Sequence, residues 1–422
     1  MTMKVPSAVV EAVSSIDAVP IDSYSIPQSQ LDLINKTRMS AFPWRGQFTP
    51  ELVEVLLKSS TQSIHRVLDP FAGSGTTLFE AVRLGFECYG AEINPAAYLM
   101  ARTAEFSCLG RAERDAILFQ AKSLVDTIGS EATHAAKQST NSLQESLKKI
   151  MSAARADGRY YQPLALAVLL ALGDGGHGDV QDLRDSLARC TALIRSLPEA
   201  SSPCKVFLSD ARQLPLDDGF VDLVITSPPY INVFNYHQNF RPGVEMLGWN
   251  VLEVARSEIG SNRKNRGNRF LTVVQYCLDM YAALTEIRRT LRNFGRAIIV
   301  IGRESNVRGV PFSNSRILGV LAIYAGFLLE NWRERRFTNR FGKTIVEDLL
   351  FLRSAGTPGL DTQFPRDVAR HFLSEALVAA KQDIAQDISI ALESASQVES
   401  SPIYTSEDGS DLAPDPRSFE AQ

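Results

Sequence analysis

The sequence predicts an α/β fold in which helices cover both faces of a mostly parallel sheet. Strand and helix patterns alternate over residues 36–107 and again over residues 203–353. A glycine-rich turn follows the first predicted strand, and the run Ser-Pro-Pro-Tyr follows the fourth. Because the carboxyl ends of parallel strands meet at one edge of a sheet, both segments are expected at the edge where open α/β sheets bind ligands.

The first block reads as strand, helix, strand and helix. IHRVLD and FECYGAEI are short apolar runs that predict buried strands. The amphipathic helix TTLFEAVRLG ends at Gly85, a favourable helix stop. Pro95 lies in the first turn of the next helix, NPAAYLMAR, where its missing N–H is tolerated.

The second block opens with two predicted strands, CKVFLSD and VDLVITS, and continues with the long helix LTVVQYCLDMYAALTEIRRTLR. GRAIIVIG is a further strand, and SNSRILGVLAIYAGF is a helix. FLLENWRERRF and TIVEDLLFLR form a closing pair of strands. The two blocks together therefore predict a seven-stranded sheet that ends in an antiparallel hairpin.

Three segments lie outside this alternation. Residues 1–35 are polar and weakly patterned, so we expect a flexible lead-in. Residues 108–202 are rich in Ala, Ser, Gln and Leu with helical periodicity, which predicts a helical insertion between the second and third strands. Residues 354–422 form an acidic extension with one predicted helix and a tail of disordered character.

Composition excludes some classes of protein. The chain has 422 residues, 45% of them hydrophobic, and no run of apolar residues long enough for a transmembrane helix. Its N-terminus does not read as a signal peptide, so we expect a cytoplasmic protein. The five cysteines are scattered and never form a CxxC pair, which favours a reduced compartment and no zinc site.

Charge is distributed unevenly along the chain, although the net charge is only -4. Residues 231–345 carry 18 Lys and Arg against 8 Asp and Glu, whereas residues 358–422 carry 4 against 12. The acidic C-terminal segment offsets the basic charge of residues 231–345 in the net charge of the chain. Phosphate binding needs such a basic face. An ordinary solvated surface would give the same count.

The segment VLDPFAGSGTTLFEA predicts a cofactor turn, because Gly73 and Gly75 let the backbone approach a ligand closely. No lysine follows Gly75, which excludes a P-loop, and Leu78 stands where a dinucleotide fingerprint has its third glycine. The next strand ends in Glu92, seventeen residues after Gly75, where a carboxylate can accept hydrogen bonds from ribose hydroxyls. These features indicate a nucleoside-like ligand without a pyrophosphate.

The segment VDLVITSPPYINVFNY predicts a clamp for an amine. Pro228 and Pro229 lock the backbone and present rigid carbonyl acceptors, and Ser227 adds a hydroxyl acceptor. Tyr230 offers a flat ring on which a base can stack. Two acceptors on the hydrogens of an exocyclic amine favour a tetrahedral nitrogen and expose its lone pair, so these four residues are the candidate catalytic residues.

These segments resemble a known family. DPFAGSGTT and TSPPY are similar to motifs I and IV of the amino-group DNA methyltransferases, the N4-cytosine and N6-adenine enzymes. FPWRGQFTPEL resembles their motif X, Glu92 falls on the motif II acid, and Asp210 falls on the motif III acid. The resemblance implies a class I S-adenosylmethionine-dependent methyltransferase fold, which is Rossmann-like with a seven-stranded, mostly parallel sheet.

The resemblance also implies S-adenosylmethionine as the cofactor, with Asp210 bonding its adenine amine. The residues that it assigns to cofactor binding are Phe48, Asp69, Phe71, Gly73, Gly75, Thr76, Glu92 and Asp210.

The resemblance further implies DNA as the substrate. In this family Ser at the first clamp position favours N4 of cytosine, and N6 of adenine stays open. The target base must leave the duplex to reach the clamp, and Phe234, Asn235 and Tyr236 follow the clamp as candidates to line its pocket. The residues expected to contact phosphate are Arg263, Lys264, Arg266 and Arg269. Sequence recognition is assigned to the helical insertion or to residues 236–270.

Other functions remain open at this point. An RNA base amino-methyltransferase shares the clamp but typically carries a strongly basic RNA-binding module, which we do not see. A catalytically inactive nucleic-acid-binding protein and a small-molecule N-methyltransferase are further alternatives. A DNA methyltransferase of this kind implies a restriction-modification or DNA-marking role, with any partner restriction endonuclease on a separate chain.

Overall fold

A computed structural model describes most of the chain. The residues described are 6–20, 26–32, 38–44, 46–60, 64–135, 147–148, 151, 161–231, 236–260, 265, 267–338 and 342–405.

A seven-stranded sheet forms the centre of the fold. The strands of the structure are β1 (Arg66–Asp69), β2 (Glu87–Glu92), β3 (Cys204–Leu208), β4 (Val221–Thr226), β5 (Leu291–Gly302), β6 (Glu304–Val307), β7 (Val310–Ser313), β8 (Phe327–Thr338) and β9 (Thr344–Ser354). The sheet has the order β3-β2-β1-β4-β5-β9-β8, and β6 pairs with β7 in a separate hairpin. Pairing is parallel from β3 through β5 and antiparallel for β5 with β9 and for β9 with β8. The predicted class I fold is thereby confirmed.

The order reverses between β1 and β4, which places a crevice at the carboxyl ends of these strands. The central strands are mostly buried because helices cover both faces of the sheet. For example, all six residues of β4 are buried.

The helices follow in chain order. They are α1 (Ser7–Asp17), α2 (Gln28–Asp32), α3 (Pro50–Ser59), α4 (Thr76–Arg83), α5 (Pro95–Arg102), α6 (Arg111–Ala135), α7 (Tyr161–Leu172), α8 (Val180–Ser196), α9 (Arg241–Met246), α10 (Val251–Ser257), α11 (Leu271–Thr290), α12 (Asn314–Tyr324), α13 (Phe364–Ala379) and α14 (Gln382–Ser394). None of the helices described is both long and apolar enough to cross a membrane.

The segment between β2 and β3 is helical, as the sequence predicts. Its helices α6, α7 and α8 pack on one another and share a hydrophobic cluster with Trp44, Phe240 and Trp249. Asp179 caps α8 through a reciprocal pair of hydrogen bonds with Asp182. The insertion is therefore joined to the segment that follows the clamp, which also belongs to this cluster.

The N-terminal segment differs from the flexible lead-in that the sequence analysis expects. Residues 7–17 form α1, which buries Val9, Val13 and Ile16 against α12. Gly319 permits this approach, because a Cβ there would lie 2.7 Å from Cδ1 of Ile16. The spacing of these apolar residues is that of an amphipathic helix, a signal that the polar composition obscured.

The C-terminal extension also differs from expectation. The one predicted helix is two helices, α13 and α14, which pack together beside α11 and α12. Residues 395–405 then continue across the protein, and Ser401 is buried. The predicted disordered tail, from residue 406 onward, lies outside the described residues.

Candidate active site

A crevice opens at the carboxyl ends of β1 to β4. The residues that line it come from seven stretches of the chain: Trp44, Gly46, Gln47, Phe48, Asp69, Pro70, Phe71, Ala72, Gly73, Thr76, Glu92, Ile93, Asn94, Ser209, Asp210, Ala211, Ser227, Pro229, Tyr236, Ser257, Glu258 and Ile259. The structure thus brings together most of the residues that the sequence assigns to the cofactor and part of the clamp.

The glycine turn joins β1 to α4. The N–H of Gly73 faces the acid of the next strand and donates to Oε2 of Glu92 at 2.8 Å. Gly75 caps α4 in the left-handed region, with φ of 90°. A Cβ at Gly75 would lie 2.8 Å from the Cα of Ala101, so this glycine is required for packing. Gly75 does not line the crevice, and it therefore supports the turn from behind.

Asp69 braces the base of the crevice. Its Oδ1 accepts from the hydroxyl of Thr226 at 2.6 Å and from the N–H of Phe71 at 3.1 Å, and its Oδ2 accepts from the hydroxyl of Thr77 at 2.6 Å. Burial raises the pKa of Asp69 to about 6, although these hydrogen bonds oppose the rise. The carboxylate thus ties β1, α4 and β4 together beside the ligand.

The carboxylate of Glu92 accepts hydrogen bonds from the glycine turn and has further acceptor positions open for a ligand. Its Oε1 accepts from the N–H of Asn94 at 2.8 Å, and its Oε2 accepts from Gly73. Each carboxylate oxygen has two lone pairs, so two acceptor positions remain for ribose hydroxyls. Burial raises the pKa of Glu92 to about 7, and the charges of Asp69 and Glu258 contribute further.

The raised pKa of Glu92 predicts that the stability of the fold decreases, and the affinity for the cofactor product increases, as the pH rises through this titration. Because the folded protein holds the proton of Glu92 more tightly than the unfolded chain, ionisation destabilises the fold as pH rises from 4.5 to about 7. Ribose hydroxyls donate to the ionised form, so affinity for S-adenosylhomocysteine should rise through the same titration. Calorimetry at about pH 6 and about pH 8 measures this, and Glu92→Gln should abolish the change. If Glu92→Gln shows the same pH dependence of affinity as the unmodified protein, the titrating group is another one, such as Asp69.

Asp210 lies in the crevice but is already satisfied. Its Oδ1 accepts from the backbone N–H and the Nε of Arg212, at 3.0 and 2.9 Å. Its Oδ2 accepts from Nη2 of Arg212 at 2.6 Å and from the N–H of Tyr404 at 3.1 Å. A carboxylate has about four acceptor positions, and all four are taken. The predicted bond from Asp210 to the adenine amine therefore lacks an open acceptor.

The C-terminal segment completes this buried cluster. Nη1 of Arg212 donates to Asp279 at 2.9 Å and to the carbonyl of Ser401 at 2.8 Å. The hydroxyl and the N–H of Ser401 both donate to Asp279, at 2.7 and 2.8 Å. Arg212, Asp210 and Asp279 are all at least nine-tenths buried. Residues 401–404 consequently support the β3 side of the crevice.

The clamp follows β4 as predicted. Ser227 and Pro229 line the crevice, whereas Pro228 and Tyr230 do not. The hydroxyl of Tyr276 donates to the Pro229 carbonyl at 3.1 Å, which uses one of the two lone pairs of that oxygen. Ser227 and the carbonyls of Pro228 and Pro229 are therefore the candidate acceptors for a substrate.

The ring of Tyr230 packs against Gly302, where a Cβ would lie 2.9 Å from Cε2 of the ring. Burial, reinforced by the charge of Glu347, raises the pKa of Tyr230 above its ordinary value, so its hydroxyl stays protonated.

Other functional candidates escaped the sequence analysis. Trp44 lines the crevice and stacks on Tyr236, with ring centroids 6.4 Å apart and planes at 17°. The carbonyl of Tyr236 accepts from Nδ2 of Asn94 at 3.1 Å. Trp44 lies within the segment that resembles motif X, and an aromatic residue in that segment could have indicated a cofactor contact. Phe234 and Asn235, which the sequence places beside Tyr236, lie outside the described residues.

Two buried polar atoms in the crevice have no partner among the described residues. They are Oγ of Ser209 and Oε1 of Glu258. Because a buried polar atom without a hydrogen bond is unfavourable, both atoms indicate a polar ligand. Nothing in their local sequence distinguishes them.

The basic stretch is described only in part. Arg269 is exposed and lies two residues before α11. Arg263, Lys264 and Arg266 lie outside the described residues. Their contact with phosphate stays a prediction.

Comparison with known proteins supports the resemblance found in the sequence. Residues 27–103 match the N6/N4 methyltransferase family model, described as DNA methylase. The resemblance to the amino-group DNA methyltransferases is confirmed. The chain is 41% identical over 59 residues to the type II methyltransferase M.MjaII of Methanocaldococcus jannaschii, and 39% identical over 56 residues to M.MvaI of Kocuria varians. These alignments cover 14% and 13% of this chain and 11% and 12% of the two relatives.

Solved structures are similar at low identity. A SAM-dependent methyltransferase from Methanosarcina mazei aligns with a TM-score of 0.33 at 11% identity, over 71% of this chain and 97% of that one. A TehB-like SAM-dependent methyltransferase from Corynebacterium glutamicum aligns with a TM-score of 0.28 at 12% identity, over 70% and 85% of the two chains.

The crevice fits S-adenosylmethionine, the predicted cofactor. Glu92 has open acceptors for ribose, and Trp44 and Phe48 provide apolar contact beside the glycine turn.

Proposed function

We propose that the protein transfers the methyl group of S-adenosylmethionine to the exocyclic N4 of cytosine in DNA. The observation that carries this proposal is the position of the Ser-Pro-Pro-Tyr clamp at the end of β4. From there, Ser227 and Pro229 enter the same crevice as the glycine turn and Glu92. A cofactor site and an amine clamp thus share one opening, as direct transfer to an amine requires.

The protein's own groups prepare the amine. S-adenosylmethionine supplies an electrophilic methyl group on a sulfonium. The hydroxyl oxygen of Ser227 and one carbonyl of the Pro228-Pro229 pair accept the two hydrogens of the target amine, and Tyr276 holds the Pro229 carbonyl through its hydrogen bond. Accepting both hydrogens favours a tetrahedral nitrogen with an exposed lone pair, and holding it near the methyl group removes orientational entropy. The cationic product then loses a proton readily.

Ser227 supports cytosine over adenine as the target. A serine at the first clamp position favours N4 of cytosine in this family, whereas aspartate or asparagine favours N6 of adenine. A base in a duplex must be flipped out to reach the clamp, at a cost of a few kcal/mol. Tyr230, beside the crevice rather than in it, provides the ring on which the extruded base stacks.

The test is methyl transfer from labelled S-adenosylmethionine to unmethylated genomic DNA, followed by nucleoside chromatography. Label in 4-methylcytosine supports the proposal. Label in 6-methyladenine would overturn the interpretation of Ser227 and leave the proposed cofactor and clamp mechanism unchanged. Label only in tRNA supplied in parallel would make the protein an RNA methyltransferase, and no label in either would favour an inactive binding protein.

Replacing the basic stretch should alter salt dependence without altering the base that is methylated. Exchanging Arg263, Lys264, Arg266 and Arg269 for glutamine removes four cationic groups that we assign to phosphate. The plot of log affinity against log salt has a negative slope, and its magnitude should decrease by about 0.9 for each lost phosphate contact. Filter binding to a DNA duplex over a salt series measures the slope. An unchanged slope would exclude this stretch as a phosphate contact.

A restriction-modification or DNA-marking role follows from this activity as a further proposal, with any partner nuclease on a separate chain and both acting in the cytoplasm. Both curated relatives are named type II methyltransferases, which supports this setting. Resistance of DNA from cells that express the protein to a panel of restriction nucleases tests it and maps the target sequence.

A further inference from the structure

Three aromatic rings connect the wall of the crevice with the helical insertion. Trp44 lines the crevice beside the glycine turn, where a Cβ at Gly73 would lie 3.4 Å from Cδ1 of the indole. The indole is near-parallel to two rings of the segment that follows the clamp. Its centroid is 6.4 Å from that of Tyr236, with planes at 17°, and 6.4 Å from that of Phe240, with planes at 8°. Aromatic pairs at such distances have preferred geometries, so these two rings orient Trp44 in the crevice wall.

The backbone of Phe240 is strained. Its φ is 54° and its ψ is 22°, in the left-handed region that residues with a Cβ rarely adopt. Its ring is buried and belongs to the same hydrophobic cluster as Trp44 and the helices of the insertion. A residue stays in this region only where its surroundings compensate the strain, and such strain is concentrated at functional sites. The contacts that hold Phe240 therefore bear on the position of Trp44.

An aspartate of the insertion supplies one of these contacts. Asp174 lies in the loop between α7 and α8, and its Oδ1 accepts from the N–H of Phe240 at 2.8 Å. The same loop packs directly on α9, because a Cβ at Gly176 would lie 3.0 Å from Cβ of Pro242. A hydrogen bond and a close contact thus fix the start of α9 to the insertion.

We propose that Asp174 is a positioning residue for the cofactor and that it acts through Phe240 and Trp44. The hydrogen bond holds Phe240 in its left-handed conformation, and the ring of Phe240 holds the indole of Trp44 beside the glycine turn. The helical insertion therefore takes part in forming the cofactor crevice, in addition to any contact with nucleic acid. This rests on the proposed function only in requiring S-adenosylmethionine as the ligand.

The experiment compares two exposed aspartates of the insertion, Asp174 and Asp179, each of which accepts a backbone N–H at 2.8 Å. Asp174→Ala removes the acceptor for Phe240, so the affinity for S-adenosylhomocysteine should fall by about fivefold or more. Asp179→Ala removes the cap of α8 and should change this affinity by less than about twofold. Calorimetry on the full chain without nucleic acid measures the affinities, and thermal melting measures the stability of each variant.

Two further variants separate the hydrogen bond from the ring. Asp174→Asn keeps a side-chain oxygen for the N–H of Phe240, so it should restore the affinity that Asp174→Ala loses. Phe240→Gly adopts the left-handed backbone without strain but has no ring, so it should lose affinity as Asp174→Ala does. Phe240→Gly also tests the proposal if Asp174→Ala does not fold.

Three results would overturn the proposal. Equal affinities in Asp174→Ala and Asp179→Ala would reduce Asp174 to a local cap. A loss in Asp174→Asn as large as that in Asp174→Ala would exclude the hydrogen bond as the cause, and full affinity in Phe240→Gly would exclude the ring. If the unmodified protein does not bind S-adenosylhomocysteine, the cofactor assignment of the proposed function fails instead, so the two failures are distinguishable.

Discussion

Tyr230→Ala should reduce turnover by about 100-fold or more while the affinity for S-adenosylhomocysteine changes less than about threefold. Tyr230 does not line the cofactor crevice, and its ring is held against Gly302 next to the clamp. Base stacking on an aromatic ring contributes about 1–3 kcal/mol, and misplacement of the amine adds to the loss. Single-turnover methylation and calorimetry on the same preparation separate the two effects.

Tyr230→Phe is the matched control for this substitution. It keeps the ring and removes a hydroxyl that stays protonated, so it should retain most of the turnover. A collapse of S-adenosylhomocysteine binding in Tyr230→Ala would mean that the cofactor and base subsites are exchanged. A large loss in Tyr230→Phe would assign the function to the hydroxyl instead of the ring.

Arg212→Met should destabilise the protein by about 3–5 kcal/mol, because it leaves two buried carboxylates without their cation. Asp210 and Asp279 are 2% and 0% exposed, and both lose charge-assisted hydrogen bonds. The carbonyls of Ser401 and Pro402 lose their donor as well. The free energy of unfolding from urea titration measures the loss. The deficit should shrink as the pH falls, because burial raises the pKa of Asp279 and its protonation removes one buried charge.

Arg195→Met provides the comparison on the helical insertion. Arg195 and Asp115 form an exposed ion pair at 2.7 Å, with side chains 58% and 55% exposed. Exposed pairs contribute about 0–1 kcal/mol, so this variant should remain within that range. A similarly small effect in Arg212→Met would show that the buried cluster does not stabilise the fold.

Local patterns were sufficient for the sheet and the two motifs. The parallel strands β1 to β4 have four to six residues each, and β4 is buried along its whole length, so their alternation with helices predicts the sheet without knowledge of contacts. The glycine pattern predicts the tight turn from local sequence, and the structure shows Gly75 there with a left-handed backbone. The β6–β7 hairpin was missed because its strands have four residues each, and its turn, at Arg308 and Gly309, is too short to separate two patterns.

Tertiary structure determines whether Asp210 has an open hydrogen-bond acceptor. Its sequence position is that of an adenine-binding acid, but Tyr404, 194 residues later, takes its last acceptor position. The acidic extension resembled a tail because its charge and composition do not reveal that Ser401 is buried. Packing of α13 on α11, and of α14 on α13, brings the segment that follows to Arg212.

By itself the sequence determined the fold class, the order of the motifs and the residues of the glycine turn and clamp, because backbone periodicity and turn chemistry are local. Only the tertiary structure decided which acids in the crevice remain open to a ligand. Asp210 is saturated, Glu92 is half-occupied and Glu258 has one free oxygen, and these differences depend on partners distant in the chain. Hydrogen-bond capacity is shared between every group that reaches a site, so it is a property of the folded assembly of side chains and cannot be read from any one segment.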